Sequence, residues 1–179
     1  AFTENFVFIV GYEKDKVIDF VNKRGLNPEF IEQDNPKGIA DAICRAKDYV
    51  GDDFIVVLGD CMCSGSFDFP AMFSQGVGVY LTDNPDDIKK SYSVRIDEPS
   101  SIGEVVEKPQ KLINNLCGMG YYFFNQKVFD FIKKGTPSKL RGEVEITDVI
   151  QGMINAGEKI SPVFFKGLYI NVNFPEDLR

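Results

Sequence analysis

The stretch FIVVLGDCM, residues 54–62, decides the fold. Five apolar residues run from Phe54 to Leu58 and stop at Gly59 and Asp60. A buried parallel strand that ends at a sheet edge reads this way. The Asp60 carboxylate then sits just past the carboxyl end of the strand, where open α/β sheets bind their ligands. An acid there is placed to hold a divalent cation against a phosphate, because hard cations take oxygen ligands. A plain Gly-Asp turn is the alternative reading.

Strand and helix signals alternate upstream of this stretch. NFVFIV (5–10) reads as a strand. Lys14 to Lys23 reads as a helix with Val17, Phe20 and Val21 on one face and Gly25 as its stop. Pro28 to Glu32 is a short strand. Gly38 to Val50 is a second helix, with Ile39, Ala42, Ile43 and Ala46 in helical phase. Such βα alternation implies parallel pairing with right-handed crossovers. Downstream, Val77–Leu81, Tyr92–Ile96, Gly103–Glu107 and Gly120–Phe124 are short extended runs, and Asp83 to Lys90 (DNPDDIKK) reads as a charged loop. The last third is helical at Lys127–Lys134 and Glu145–Asn155. Strands follow at Pro162–Phe165 and Leu168–Val172, and Pro175 opens a final helix. The expectation is one α/β domain over residues 1–179, with a mixed, mainly parallel central sheet and flanking helices.

The composition narrows the chemistry. At 44% apolar residues the chain is an ordinary globular one, and its formal net charge of −7 has the wrong sign for a nucleic-acid partner. No apolar run is of membrane length, so no membrane association is expected. Cys44, Cys61, Cys63 and Cys117 fit neither a zinc pattern nor a dense disulfide framework, and reduced thiols in a cytoplasmic protein are the better reading. The chain contains no histidine, which removes Ser-His and Cys-His nucleophilic catalysis and the usual imidazole acid/base. Any chemistry runs on carboxylates, lysines, a metal ion or positioning. Homo-oligomerisation stays open.

Four segments carry candidate site residues. In QDNPKGIADAI (33–43) a polar turn meets a helix N-terminus at Gly38, and the Gln33 amide can both donate and accept, as base recognition requires. Gly59-Asp60 is the second segment. In VVEKP (105–109), Glu107 is able to accept from sugar hydroxyls and Lys108 to pair with a phosphate. In GLYINVNFPEDL (167–178), the Asn171 or Asn173 amide oxygen is able to ligate a hard cation. Each segment also has a bland reading, as a cap, a turn or a solvated strand end.

Together with FIVGY (8–12), NNLCGMGYYFFN (114–125) and GEVEITDVI (142–150), these segments resemble, in order, the sugar-1-phosphate nucleotidylyltransferases. The glucose-1-phosphate thymidylyltransferases and uridylyltransferases are the nearest members. The resemblance implies a Rossmann-like nucleotidyltransferase fold and a Mg²⁺-assisted transfer: a sugar phosphate oxygen attacks the α-phosphorus of a nucleoside triphosphate and pyrophosphate leaves. Phosphoryl transfer of this kind rests on positioning and charge neutralisation, which suits a chain without histidine. By position, the resemblance makes Asp60 and Asn171 metal ligands and Asp60 and Lys108 catalytic. It places Gln33 and Gly38 at the nucleotide, and Tyr92, Glu107, Lys108 and Gly120 at the sugar phosphate. The family's first strand and its Gly-rich Arg/Lys loop have no counterpart in this sequence, so an open sheet edge is expected. A non-catalytic nucleotide-sugar-binding or regulatory module of the same fold stands as the alternative. Asn171 falls where many members carry Asp, Ser93 where Gly is usual, and Ile39 where some offer a hydroxyl.

Overall fold

The structure is a computed structural model that describes residues 5–35, 37–98, 100–138, 142–172 and 174–178. Two of the sequence-derived features, Pro36 of the PKGIADAI segment and Asn173, lie outside these residues.

The chain opens with strand β1 (Val7–Val10), helix α1 (Lys14–Lys23) and strand β2 (Glu29–Glu32). β1 and β2 pair in parallel, Val7 opposite Glu29 and Val10 opposite Glu32. The Gln33 N–H donates to the Val10 carbonyl (2.8 Å), so Gln33 sits at the carboxyl end of both strands. Helix α2 (Gly38–Arg45) follows and turns its buried face, Ala40 and Ile43, into the main core. A 3₁₀ turn at Lys47–Tyr49 finishes the segment read as one helix to Val50.

The main sheet contains β3 (Asp53–Val57), β4 (Cys61–Asp68), β5 (Gly76–Leu81), β6 (Tyr92–Glu98), β7 (Ser101–Glu107), β8 (Leu116–Asn125) and β9 (Ser161–Asn171). Its order is β4-β9-β5-β8-β6-β7, with β3 also on β8. The sheet is mixed, as expected, but it is chiefly antiparallel, which corrects the mainly parallel expectation. Only β5 and β9 run parallel within it; β3–β8, β4–β9, β5–β8, β6–β7 and β6–β8 are antiparallel. The cause is connection length. Parallel pairing needs a long crossover, and a brief turn joins β6 directly to its antiparallel partner β7. Among the described residues β1–α1–β2 is the one strand–helix–strand unit whose two strands pair in parallel.

The stretch read as a charged loop contains helix α3 (Pro85–Lys90). Asn84 caps it by accepting from the Asp86 N–H (3.2 Å), Pro85 fills its first turn, and Ile88, 1% exposed, anchors it in the core. Helices α4 (Val128–Lys134) and α5 (Ile146–Asn155) pack with α2 against one face of the sheet. Phe54 on β3 stacks on Phe129 of α4 with ring centroids 5.5 Å apart, and Tyr122 stacks on Phe124 at 5.7 Å. On the opposite face Phe67 gathers Tyr121, Phe123 and Phe165.

The two strands read at 162–165 and 168–172 are one strand, β9, which passes through Gly167 at φ +147°. Gly167 faces Gly65 across the β4–β9 ladder, and a Cβ on either would enter the partner strand's backbone. Among the described residues β1 pairs only with β2 and β3 only with β8, so each carries one open edge. Ile55 and Val57 on β3 are 38% and 50% exposed.

Candidate functional site

β3 ends at Val57, and the chain reverses through Leu58, Gly59 and Asp60 into β4. Three backbone bonds hold that reversal: Leu58 N–H to the Gly120 carbonyl (2.9 Å), Cys61 N–H to the Leu58 carbonyl (3.1 Å) and Val172 N–H to the Asp60 carbonyl (2.7 Å). The Asp60 side chain is exposed. Asn171 is the cross-strand partner of Cys61, so the two predicted metal ligands end up as near neighbours on the β4–β9 ribbon.

The donor chemistry suits a hard cation. Asp60 offers a carboxylate and Asn171 an amide oxygen. The Cys61 thiol lies 3.5 Å from Asp60 Oδ1, and burial pushes its pKa up to about 11. Among the described residues no group of three or more His, Cys, Asp or Glu side chains converges on a metal position. One carboxylate plus one neutral oxygen is the protein share expected when substrate phosphates complete the coordination.

Gly120 lies beside this ribbon and is buried. Its N–H donates to the Tyr169 hydroxyl (3.2 Å), which also sits 3.0 Å from Cys61 Sγ. A Cβ at 120 would lie 2.5 Å from Cys61 Sγ and 2.9 Å from Leu58 Cγ. Gly120, placed at the sugar phosphate by the resemblance, thus has its N–H bonded inside the protein to Tyr169. Tyr92 needs a plainer correction. It is 3% exposed, its hydroxyl donates to the Met119 carbonyl (3.0 Å), and its ring lies over Gly118. It is a core residue with no face for a sugar; the apolar β-strand signal around it marked burial.

Glu107 ends β7, and the Thr147 hydroxyl from the first turn of α5 donates to it at 3.3 Å. Lys108 is exposed and holds φ +42°, a left-handed conformation that is doubly disfavoured before Pro109. Its N–H donates to the Ser91 carbonyl (2.8 Å), which helps to hold it there. Burial raises the Tyr122 phenol well above its usual range, and the Glu107 carboxylate adds to the effect.

At the carboxyl end of β2, the Gln33 amide nitrogen donates to Asp41 Oδ2 (2.7 Å) and to the Gly38 carbonyl (3.3 Å). Arg45 Nε also donates to Asp41 Oδ2 (3.0 Å). Gly38 starts α2 at φ +84°, and Glu143 lies against it, with Oε2 2.7 Å from where a Cβ would be. The segment from Glu143 to Thr147 therefore touches Gly38 at one end and Glu107 at the other. Sequence reasoning gave this segment no role, nor Asp41, Cys61 or Tyr169. The Gly-Glu step before an apolar helix was its only local signal. Two open depressions of about 390 Å³ each lie elsewhere, one lined by Met72, Phe73 and Lys159, the other by Ile102, Ile154 and Lys159.

The four thiols separate by environment. Cys61 and Cys117 are both raised to about 11 by burial, while Cys63 is exposed. At pH 8, iodoacetamide is expected to label Cys63 first and Cys61 and Cys117 roughly 100-fold more slowly than an ordinary thiol. Peptide mapping by mass spectrometry reads this; equal labelling of Cys61 and Cys63 would contradict the burial of Cys61.

The Bifunctional protein GlmU of Methanocaldococcus jannaschii is 33% identical over 98% of this chain, which spans 41% of that protein. The UTP–glucose-1-phosphate uridylyltransferase AglF of Haloferax volcanii is 29% identical over 97% of this chain and 74% of its own length. The inositol-1-phosphate CTP transferase of T. maritima superposes with a TM-score of 0.82 over 99% of this chain and 73% of that one, at 19% identity, a likeness of fold alone. No helix among the described residues is long and apolar enough to cross a membrane. The family model for nucleotidyl transferases matches residues 4–169, nearly the whole of the segments just described, and the chain belongs to the nucleotidyl transferase family.

Proposed function

We propose that this site serves the transfer of a nucleotidyl group from a nucleoside triphosphate to a sugar 1-phosphate. A phosphate oxygen of the sugar phosphate bonds to the α-phosphorus. The bond from that phosphorus to the bridging oxygen breaks, and pyrophosphate leaves with the electron pair. The single observation that carries the reading is the β4–β9 ladder, which sets Asn171 opposite Cys61 and so next to the exposed Asp60 at the turn into β4.

Each residue then has one task. Gln33 and Gly38 hold the base and ribose at the carboxyl ends of β1 and β2. Glu107, steadied by Thr147, accepts hydrogen bonds from sugar hydroxyls. Lys108, exposed just past the end of β7, pairs with the sugar phosphate. Asp60 and Asn171 hold a magnesium ion. That ion, when bound, neutralises the charge that builds on the phosphate oxygens. Tyr169 and Gly120 form the floor between the two halves and touch no reacting atom.

A screen of sugar phosphates crossed with nucleoside triphosphates, read as pyrophosphate release by the full-length protein, tests the proposal. Release that depends on one sugar phosphate supports it. Nucleotide-sugar binding by calorimetry without any release supports the binding-module reading instead. Lys108→Ala is expected to raise the KM for the sugar phosphate about tenfold while changing that for the nucleotide little, as the loss of a charge-assisted contact predicts.

A further inference from the structure

The Gln33 amide has two ends, and its surroundings decide which one is offered to a ligand. Its nitrogen end lies 2.7 Å from Asp41 Oδ2 and 3.3 Å from the Gly38 carbonyl oxygen. Neither partner donates. A carbonyl only accepts, and Asp41 is ionised: burial alone would raise its carboxyl, but the hydrogen bond from Gln33 and the contact with Arg45 outweigh it and hold it below the usual range. Turning the amide over would set its oxygen against two acceptors, so both hydrogens stay committed inward. The carbonyl oxygen has no hydrogen-bond partner among the described residues, and Gln33 is only half-buried.

Asp41 is itself held. Arg45, one turn along α2, donates from Nε to the same Oδ2 at 3.0 Å and from its terminal nitrogen to the Glu32 carbonyl at 3.1 Å. The chain of contacts therefore runs from the end of β2, through Arg45 and Asp41, to Gln33. Its effect is to remove one of the two states available to a free amide.

We propose that Asp41 is a positioning residue that presents Gln33 as an acceptor only, so that the site reads a nucleobase through a hydrogen the base donates. This rests on the nucleotide-binding role given to Gln33 above. Discrimination follows because a base that places an acceptor against the Gln33 oxygen leaves two lone pairs facing each other, and such a mismatch is rejected strongly in a desolvated site.

The test exchanges the roles of the two side chains. In Asp41→Asn the new amide is able to donate, so Gln33 is free to turn its nitrogen outward. In the double variant Gln33→Glu with Asp41→Asn, residue 41 donates, residue 33 accepts, the net charge is that of the wild type, and the outward atom is an acceptor again. Binding of ATP, CTP, GTP, UTP and dTTP is measured by calorimetry for all three proteins. The expected result is that the ratio of weakest to tightest Kd falls at least tenfold in Asp41→Asn and returns to within about threefold of the wild type in the double variant. A merely structural role for Asp41 does not predict that recovery.

An unchanged order and ratio in Asp41→Asn overturns the inference, as does a loss that the double variant fails to recover. Wild-type binding with no base preference also overturns it, and leaves the transfer reading in place. A wild type that binds none of the five overturns both.

Discussion

Replacing Asp60 by Asn is expected to cut metal-dependent pyrophosphate release by about 100-fold or more. The substitution preserves shape and one ligand oxygen and removes only the charge. That charge matters unusually here, because the second ligand, Asn171, is already neutral. The protein share of the site falls from one negative charge to none, and affinity for a hard cation follows ligand charge. The fold should be indifferent. The reversal that carries Asp60 is held by backbone bonds from Leu58, Cys61 and Val172, none of which involves the carboxylate. A coupled pyrophosphate assay with magnesium as the titrant separates the causes. Lost cation affinity shows as partial recovery at high magnesium. Asn171→Asp in the same background returns the charge on the neighbouring position and is expected to restore part of the rate. Wild-type turnover in Asp60→Asn would remove Asp60 from the site and, with it, the placement of the metal.

Much of the architecture was legible because its signals are local. Lys14 to Lys23 repeats its apolar residues in helical phase and is α1 from end to end. The GD turn after FIVVL placed Asp60 at the rim, and the order of short segments supported the family. The misreadings have physical causes. DNPDDIKK looks like a solvated loop by composition, yet Asn84 as cap, Pro85 in the first turn, acids first and lysines last are the signs of a helix. Only one apolar side chain, Ile88, was there to announce burial. Strand β4 could not be read from CMCSGSFD, which has no β-branched residue. It exists because β9 supplies an eight-residue ladder, with glycine facing glycine where the backbones approach. The direction of the sheet was missed because strand patterns report burial, whereas pairing direction depends on the connections.

The site shows the same division. Residue types were readable, but their commitments were not. Gln33 looked like an amide free to donate and accept, and its donors are spent on Asp41 and Gly38. Nothing in the sequence around Gly120 announced that its N–H is bonded to the Tyr169 hydroxyl, 49 positions away. Tyr92 looked like an aromatic at a sugar edge, and it lies in the core. Each correction comes from a partner distant in sequence or from packing, which no local pattern carries.

Gly118 should be the least replaceable glycine of β8. It is buried, pairs with Val79, and a Cβ built on it falls inside the Tyr92 ring. That ring has little room to retreat. Tyr92 is 3% exposed, stacks on Tyr122 at 6.5 Å and donates its hydroxyl to the Met119 carbonyl. Moving it costs overpacking strain of about 1–3 kcal/mol. Pulling the hydroxyl off its acceptor adds roughly 1–3 kcal/mol for a buried polar group left unmade. Gly118→Ala is therefore expected to destabilise the chain by about 2–6 kcal/mol, a large share of the roughly 5–15 kcal/mol that holds a domain together. Gly152→Ala is the matched control. Gly152 lies inside α5, and a Cβ there meets nothing within 4 Å. Helix propensity alone then predicts a gain of about 0.5–1 kcal/mol. Urea unfolding of the two variants reads both signs in one experiment. If the midpoint for Gly118→Ala matches that of the wild type, Tyr92 has room to move, and it would no longer follow that the ring is locked in the core away from any sugar.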